Sequence, residues 1–197
     1  MYTVRYTGRM SNEIHIIEAA LQEFAARGYS AVGVQEIVDI VGVTKPTLYH
    51  YFDGKRGLLK EIIKRKTSGF LQTFMVASEY QHDLTFTLQQ ILKAVVEFAL
   101  AEPVFFPYFT ALRFSPVDSV EKACVDPIYS LIDNRLRELF IAAVSDHGNL
   151  RGKEDLQTAT FWGFSVEIAS LMLAGKVAQD DDLIYRSLHQ YEHGIYS

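Results

Sequence analysis

The sequence predicts an all-α protein of about nine helices. Three observations carry that expectation. Apolar residues recur at spacings of three and four along most of the 197-residue chain, Gly and Pro fall where those runs end, and no sustained alternation bounded by hairpin turns suggests a strand. The expected layout is a three-helix amino-terminal domain, 1–54, joined by a long helix from 55 to a helical carboxy-terminal domain, 55–197.

Each element has its own signals. Ser11 is a cap candidate for a first helix whose face reads Ile14, Ile17, Leu21 and Phe24, and Gly28 supplies the left-handed stop. A shorter run (Val34, Ile37, Ile40, Val41) ends at Gly42. A third helix opens after Thr44 and buries Leu48 and Phe52, an i,i+4 pair. A long fourth helix starts near Lys55 and carries Leu58, Leu59, Ile62, Ile63, Phe70 and Phe74. Leu84 to Leu100 is periodic and stopped by Pro103, and residues 104–114 form an aromatic segment closed by Pro116. Asp126-Pro127 reads as an N-cap with a first-turn proline, opening a helix that lasts until Gly148. Residues 154–174 end at Gly175, and Asp180-Asp181-Asp182 place negative charge at the positive end of a last helix that stops near Gly194.

Composition narrows the class. Hydrophobic residues make up 49% and charged residues 22%, which excludes disorder and collagen-like repeats. The lone cysteine, Cys124, excludes an internal disulfide and a multi-cysteine zinc site, and it falls in the connection between Pro116 and Pro127. No apolar run reaches the ~18 residues of a membrane span, and no apolar core follows Arg5 and Arg9 as a signal peptide would need. A cytoplasmic protein without membrane partners is expected. The net charge of −5 hides an asymmetry: residues 1–66 hold 10 Lys/Arg against 7 Asp/Glu, and the remainder 9 against 17. A basic third on an acidic remainder fits a polyanion-facing module attached to something else.

Residues 28–59 are the most informative. Two short helices joined by Val41-Gly42-Val43-Thr44 have the length of a helix-turn-helix with its glycine in the turn. Thr44 can cap the second helix through its hydroxyl, and Pro46 falls in the first turn, where a missing N–H breaks no internal bond. With Val43, Leu48 and Phe52 turned inward, Lys45, Thr47, Tyr49 and His50 stay on or near the free surface, able to meet phosphates or base edges. Lys45 opens one helix and Lys55-Arg56 the next, although cations are disfavoured at the positive helix terminus. Solvation alone accounts for any single lysine; two such starts flanking a helix-turn-helix favour an external anion. The alternative for Tyr49 is to pack across the motif with its hydroxyl in water.

This stretch resembles the DNA-binding domain of TetR-type (tetracycline-repressor-like) transcriptional regulators. The resemblance rests on Gly28-Tyr29, Ile37-Val38, Val41-Gly42-Val43, Thr44-Lys45-Pro46-Thr47, Leu48-Tyr49-His50-Tyr51-Phe52 and Lys55. It implies a helix-turn-helix DNA-binding domain and a helical ligand-binding and dimerisation domain. It also implies DNA contacts by Thr44, Lys45, Pro46, Thr47, Tyr49, His50 and Lys55, with Tyr49 and Lys55 on phosphates and Thr44 capping the recognition helix. Gly33 departs from the family's usual Thr or Ser, Pro46 from a small residue, and Val38 and Val41 from alanines.

The implied partners are a palindromic double-stranded operator, a second copy of the chain bound through about 154–193, and a small-molecule effector. Phe161, Trp162, Phe164, Ile168, Leu171 and Met172 offer more apolar surface than one core-facing stripe needs, and intrachain core would claim part of it. Six aromatics fall within residues 98–114. They fit either a helical core or an apolar pocket, and Phe98, Phe105, Phe109, Arg113 and Trp162 are the ligand-binding candidates. Such a site suits a hydrophobic, neutral or cationic effector, and by resemblance the regulator is a repressor. No phosphate loop, nucleophile elbow or His-Glu-x-x-His motif occurs. His189 and His193, four apart, read as solvated surface rather than a metal site. No enzyme activity, catalytic residue, cofactor or metal is expected.

Overall fold

The computed structural model describes residues 12–194. Those residues form nine α-helices, one short 3₁₀ turn and no strand. They divide into two compact units within the fourth helix, between Ile63 and Lys64.

The first unit opens with α1 (Asn12–Arg27), which buries Ile16, Ile17, Ala20, Leu21 and Phe24. Ile14, expected on that face, is half-buried at its edge, and the expected cap Ser11 lies outside the described residues. Gly28 takes φ +82° and its N–H closes on the Phe24 carbonyl at 2.9 Å, so the stop works as anticipated. In α2 (Val34–Val41) the buried residues are Ile37 and Val38, whereas Ile40 is 55% exposed. At about 100° per residue Val34, Ile37, Val38 and Val41 share one arc, and Ile40 falls outside it. Gly42, at φ +77°, donates its N–H to the Val38 carbonyl and ends the helix. The next helix, α3 (Lys45–Phe52), is anchored by Leu48 and Phe52, both buried, and packs on α1 and α2.

The turn out of α3 uses Asp53 and Gly54, both with positive φ. Gly57 follows in the first turns of α4 (Gly54–Ala77); a Cβ there would fall inside the Phe52 carbonyl oxygen, so only glycine permits this approach. Leu58, Leu59, Ile62 and Ile63 are buried and count with the first unit, so the division falls later than residue 54.

The second unit contains the rest of α4, α5 (Leu84–Ala101), α6 (Phe105–Leu112), α7 (Val120–Ala143), α8 (Glu154–Leu173) and α9 (Asp181–His193). Asp83 caps α5 by accepting the Phe86 N–H at 2.9 Å, and Asp180 caps α9 through the Leu183 N–H at 2.8 Å. By length and composition α5 is apolar enough to cross a membrane, contrary to the sequence expectation. Half of it is buried in the unit, where it packs on α6, α8 and α9.

The largest departure is α7. It begins seven residues before Pro127, capped by the Ser119 hydroxyl, which accepts the Lys122 N–H at 3.0 Å. Pro127 therefore sits inside the helix and cannot donate to the Ala123 carbonyl. Burial of Cys124, Val125 and Tyr129 along the same helix offsets that loss, and Cys124 belongs to a packed helix rather than a connection.

Candidate nucleic-acid interface

The helix-turn-helix presents two unlike faces. Inward, Leu48 and Phe52 tie α3 to the core; outward, Lys45, Pro46, Tyr49 and His50 are exposed, two i,i+4 pairs along one surface. Thr47 is half-buried beside them. Tyr49 is 54% exposed, and its ring edge lies along the α3–α4 junction, where a Cβ on Gly54 would stand 3.3 Å from it.

Thr44 needs a correction. It holds the N-cap position with extended backbone, but its side chain accepts no helix N–H. Its hydroxyl lies 3.0 Å from the Thr47 hydroxyl instead. The start of α3 therefore lacks a side-chain cap and carries Lys45 at its positive end, an arrangement that favours an external anion.

At the start of α2, Gly33 has no side chain to offer, and Glu36 supplies half of a capping box by accepting the Gly33 N–H at 2.6 Å. Arg27 holds the same carboxylate at 3.1 Å and reaches Glu23 at 3.1 Å. The Gly33 N–H, then Arg27, keep the Glu36 carboxyl below its ordinary pKa; Glu23, then Glu36, raise that of Arg27. This edge of the unit is therefore closed by its own carboxylates.

At the start of α4 the Lys55 ammonium stands 4.1 Å from the Tyr29 ring centroid. The residues are too far apart in sequence for spacing to reveal that contact. Tyr51, 39% exposed and edge-on to His50 at 5.2 Å, and the exposed Arg56 extend the surface beyond the residues expected to contact DNA.

The candidate effector residues lie in the second unit. Phe98, Phe105 and Phe109 are buried against one another, with centroids 5.5–6.1 Å apart, and Phe109 stacks on Tyr129 at 4.8 Å. Trp162 meets Tyr129 at 6.1 Å. Arg113 pairs with Asp133 at 3.0 Å and lies 4.6 Å over the Tyr129 ring, while its Nη1 is buried without a hydrogen-bond partner. Burial pushes the Tyr129 phenol well up, against the opposing pull of the Arg113 charge, and its hydroxyl donates to the Phe109 carbonyl at 3.0 Å. A groove of about 430 Å³ whose lining includes Phe70, Phe98, Lys66, Glu97 and Glu102 shares Phe98 with this cluster. His189 and His193 lie exposed with rings 4.4 Å apart, and among the described residues no group of three or more His, Cys, Asp or Glu could hold a metal.

Two helical units, the first built on a helix-turn-helix with an exposed cationic second helix, define a class of helix-turn-helix proteins with an appended helical domain. More particularly, residues 16–62 match the family described as bacterial regulatory proteins, tetR family. A relative from Mycolicibacterium smegmatis, the HTH-type transcriptional activator FasR, is 27% identical over 59% of this chain and 57% of that protein. The HTH-type transcriptional repressor KstR2 of Rhodococcus jostii is 34% identical over 33% of this chain and 30% of that protein. The aligned part thus spans little more than half of the first relative and less than a third of the second. Among solved structures, the transcriptional regulator FadR from Bacillus subtilis, in complex with stearoyl-CoA, superposes with a TM-score of 0.72 at 19% identity, covering 92% of this chain and 98% of that one. The two share a fold.

Proposed function

We propose that the protein is a sequence-specific, DNA-binding transcriptional regulator that acts in the cytoplasm as a homodimer on a palindromic operator. The observation that carries this reading is the outward face of α3: Lys45, Pro46, Tyr49 and His50 exposed on a helix whose opposite side is locked by Leu48 and Phe52. Thr44, Thr47 and Lys55 complete the contact set. One such helix reads too few base pairs for specificity, and a dimer supplies a second, about 34–36 Å or a multiple away. The dimer surface is assigned to 154–193. There Phe161, Trp162 and Met172 are intrachain core, while Phe164, Ile168 and Leu171 stay half-exposed beside Gly163.

The regulator is read as a repressor released by a small, largely hydrophobic effector held in the second unit near Phe98, Phe105, Phe109, Arg113 and Trp162. The aromatic cluster and the stearoyl-CoA bound by the Bacillus subtilis neighbour support a ligand with a long apolar part. Such a ligand releases DNA only by binding the DNA-incompetent arrangement more tightly.

Substitution at the interface tests the reading. Lys45→Ala and Thr47→Ala should change which operator variants are preferred, by about 1–3 kcal/mol for each good base contact. Competition binding across a library of operator variants measures this, and unchanged preference in both variants would remove α3 as the reader.

A further inference from the structure

His189 and His193 stand four residues apart on α9, both exposed, with ring centroids 4.4 Å apart and 50° between the ring planes. That spacing puts two imidazoles on one face of a helix, as in helical zinc sites built on paired histidines. Spacing alone reads as solvated surface, but the structure shows that this last turn is fixed. The Glu192 carboxylate accepts from the Thr85 hydroxyl of α5 at 2.7 Å, and the Gly194 N–H closes the helix on the Gln190 carbonyl at 2.8 Å. Tyr191, two residues from each histidine and so about 200° around the helix, packs on Phe161 and Phe164 of α8 at 5.5 and 5.0 Å. The pair therefore lies on the side of α9 away from that contact, open to solvent.

Two metal–nitrogen bonds of about 2.0–2.1 Å, meeting at roughly 90–110°, hold the ligating nitrogens about 3 Å apart. Rings already 4.4 Å apart reach that geometry by side-chain rotation, without a change in the helix. The dipole of α9 is negative at this end, which favours a cation. Among the described residues no third His, Cys, Asp or Glu joins the pair, so water fills the other coordination positions. Imidazole ligands suit Ni²⁺, Cu²⁺ and Zn²⁺, whereas Mg²⁺ and Ca²⁺ seek oxygen.

We propose that His189 and His193 form a two-imidazole site for a first-row transition-metal dication of the Ni²⁺, Cu²⁺ or Zn²⁺ class. The site does not depend on the reading of the first unit as a DNA-binding module.

The test titrates the untagged full chain with Ni²⁺ alone, followed by calorimetry, and repeats it with Cu²⁺ and Mg²⁺. One Ni²⁺ should bind per chain, Cu²⁺ more tightly, and Mg²⁺ not at all. His189→Ala and His193→Ala should each weaken Ni²⁺ binding by at least about tenfold, because each leaves one ligand where two had acted together. Both side chains are exposed, so neither change removes packing. His82→Ala should leave the affinity unchanged; a loss there would move the ion to the His82–Asp146 pair and overturn the proposal. Binding that survives both α9 variants, or no binding up to about 1 mM Ni²⁺, within the range of a two-ligand site, also overturns it. NMR of the wild type locates the ion directly. Substoichiometric Ni²⁺ should broaden the ring signals of His189 and His193 together, and broadening of one without the other overturns the shared site.

Discussion

The outward face of α3 and the aromatic cluster of the second unit use similar residues in opposite ways. Tyr49, Tyr51 and His50 stand exposed on a short helix held by two other residues, the buried anchors Leu48 and Phe52. Phe98, Phe105, Phe109 and Tyr129 are buried ring against ring, so each is a neighbour's support. A displayed aromatic is available to a partner, whereas a packed one is committed to the fold. Function in the first unit is therefore separable from stability, and in the second the two are bound together.

The sharpest way to break this contrast is truncation on both sides. Phe109→Ala should destabilise the second unit by about 3–5 kcal/mol, the range for deleting a buried aromatic, whereas Lys45→Ala should leave stability within about 0.5 kcal/mol. Denaturant melts of both variants measure this, and a small loss at Phe109 would mean that the cluster is loosely packed.

Pro127 sharpens the same point within α7. Pro127→Ala restores a donor to the Ala123 carbonyl and should stabilise the protein by about 1–3 kcal/mol. An unchanged melting temperature would show that the helix has already adjusted to the missing bond.

The smallest effect concerns a tie between the α4–α5 connection and the end of α7. The Asp146 carboxylate accepts from the Tyr80 hydroxyl at 2.7 Å and pairs with His82 at 2.8 Å. Tyr80, then His82, hold the Asp146 carboxyl below its ordinary pKa, while burial and Asp146 push the Tyr80 phenol up to about 12. A carboxyl with a lowered folded pKa stabilises above its unfolded pKa, and that stability fades as pH falls through the folded value. Asp146→Asn should therefore lower the melting temperature at neutral pH, and the gap to wild type should close in acid. Melts across an acid series check this; a gap that persists in acid would assign the tie to shape rather than charge.

Much of the first unit was legible in the sequence because its signals are local. The Gly28 and Gly42 stops, the Leu48–Phe52 anchor and the exposed set on α3 all follow from spacing within one or two turns. Ile40 misled because counting apolar residues overlooks Val38, which completes the buried arc. Thr44 misled because a nearby hydroxyl, Thr47, took the place of the backbone partner. The Tyr29–Lys55 contact was beyond reach, since it forms only once α1 and α4 are brought together. In the second unit Asp126-Pro127 looked like a helix start, yet tertiary burial carried α7 through it. The aromatic count likewise could not tell a packed core from a pocket wall, because both need the same residues.

The most direct measurement is the affinity of the intact protein for its own upstream DNA as a function of salt. Binding that weakens steeply, with log K falling by about 0.9 per tenfold rise in salt for each phosphate neutralised, is the expected result. No specific binding at low ionic strength, or an affinity indifferent to salt, would contradict the reading of α3 and the start of α4 as a DNA interface.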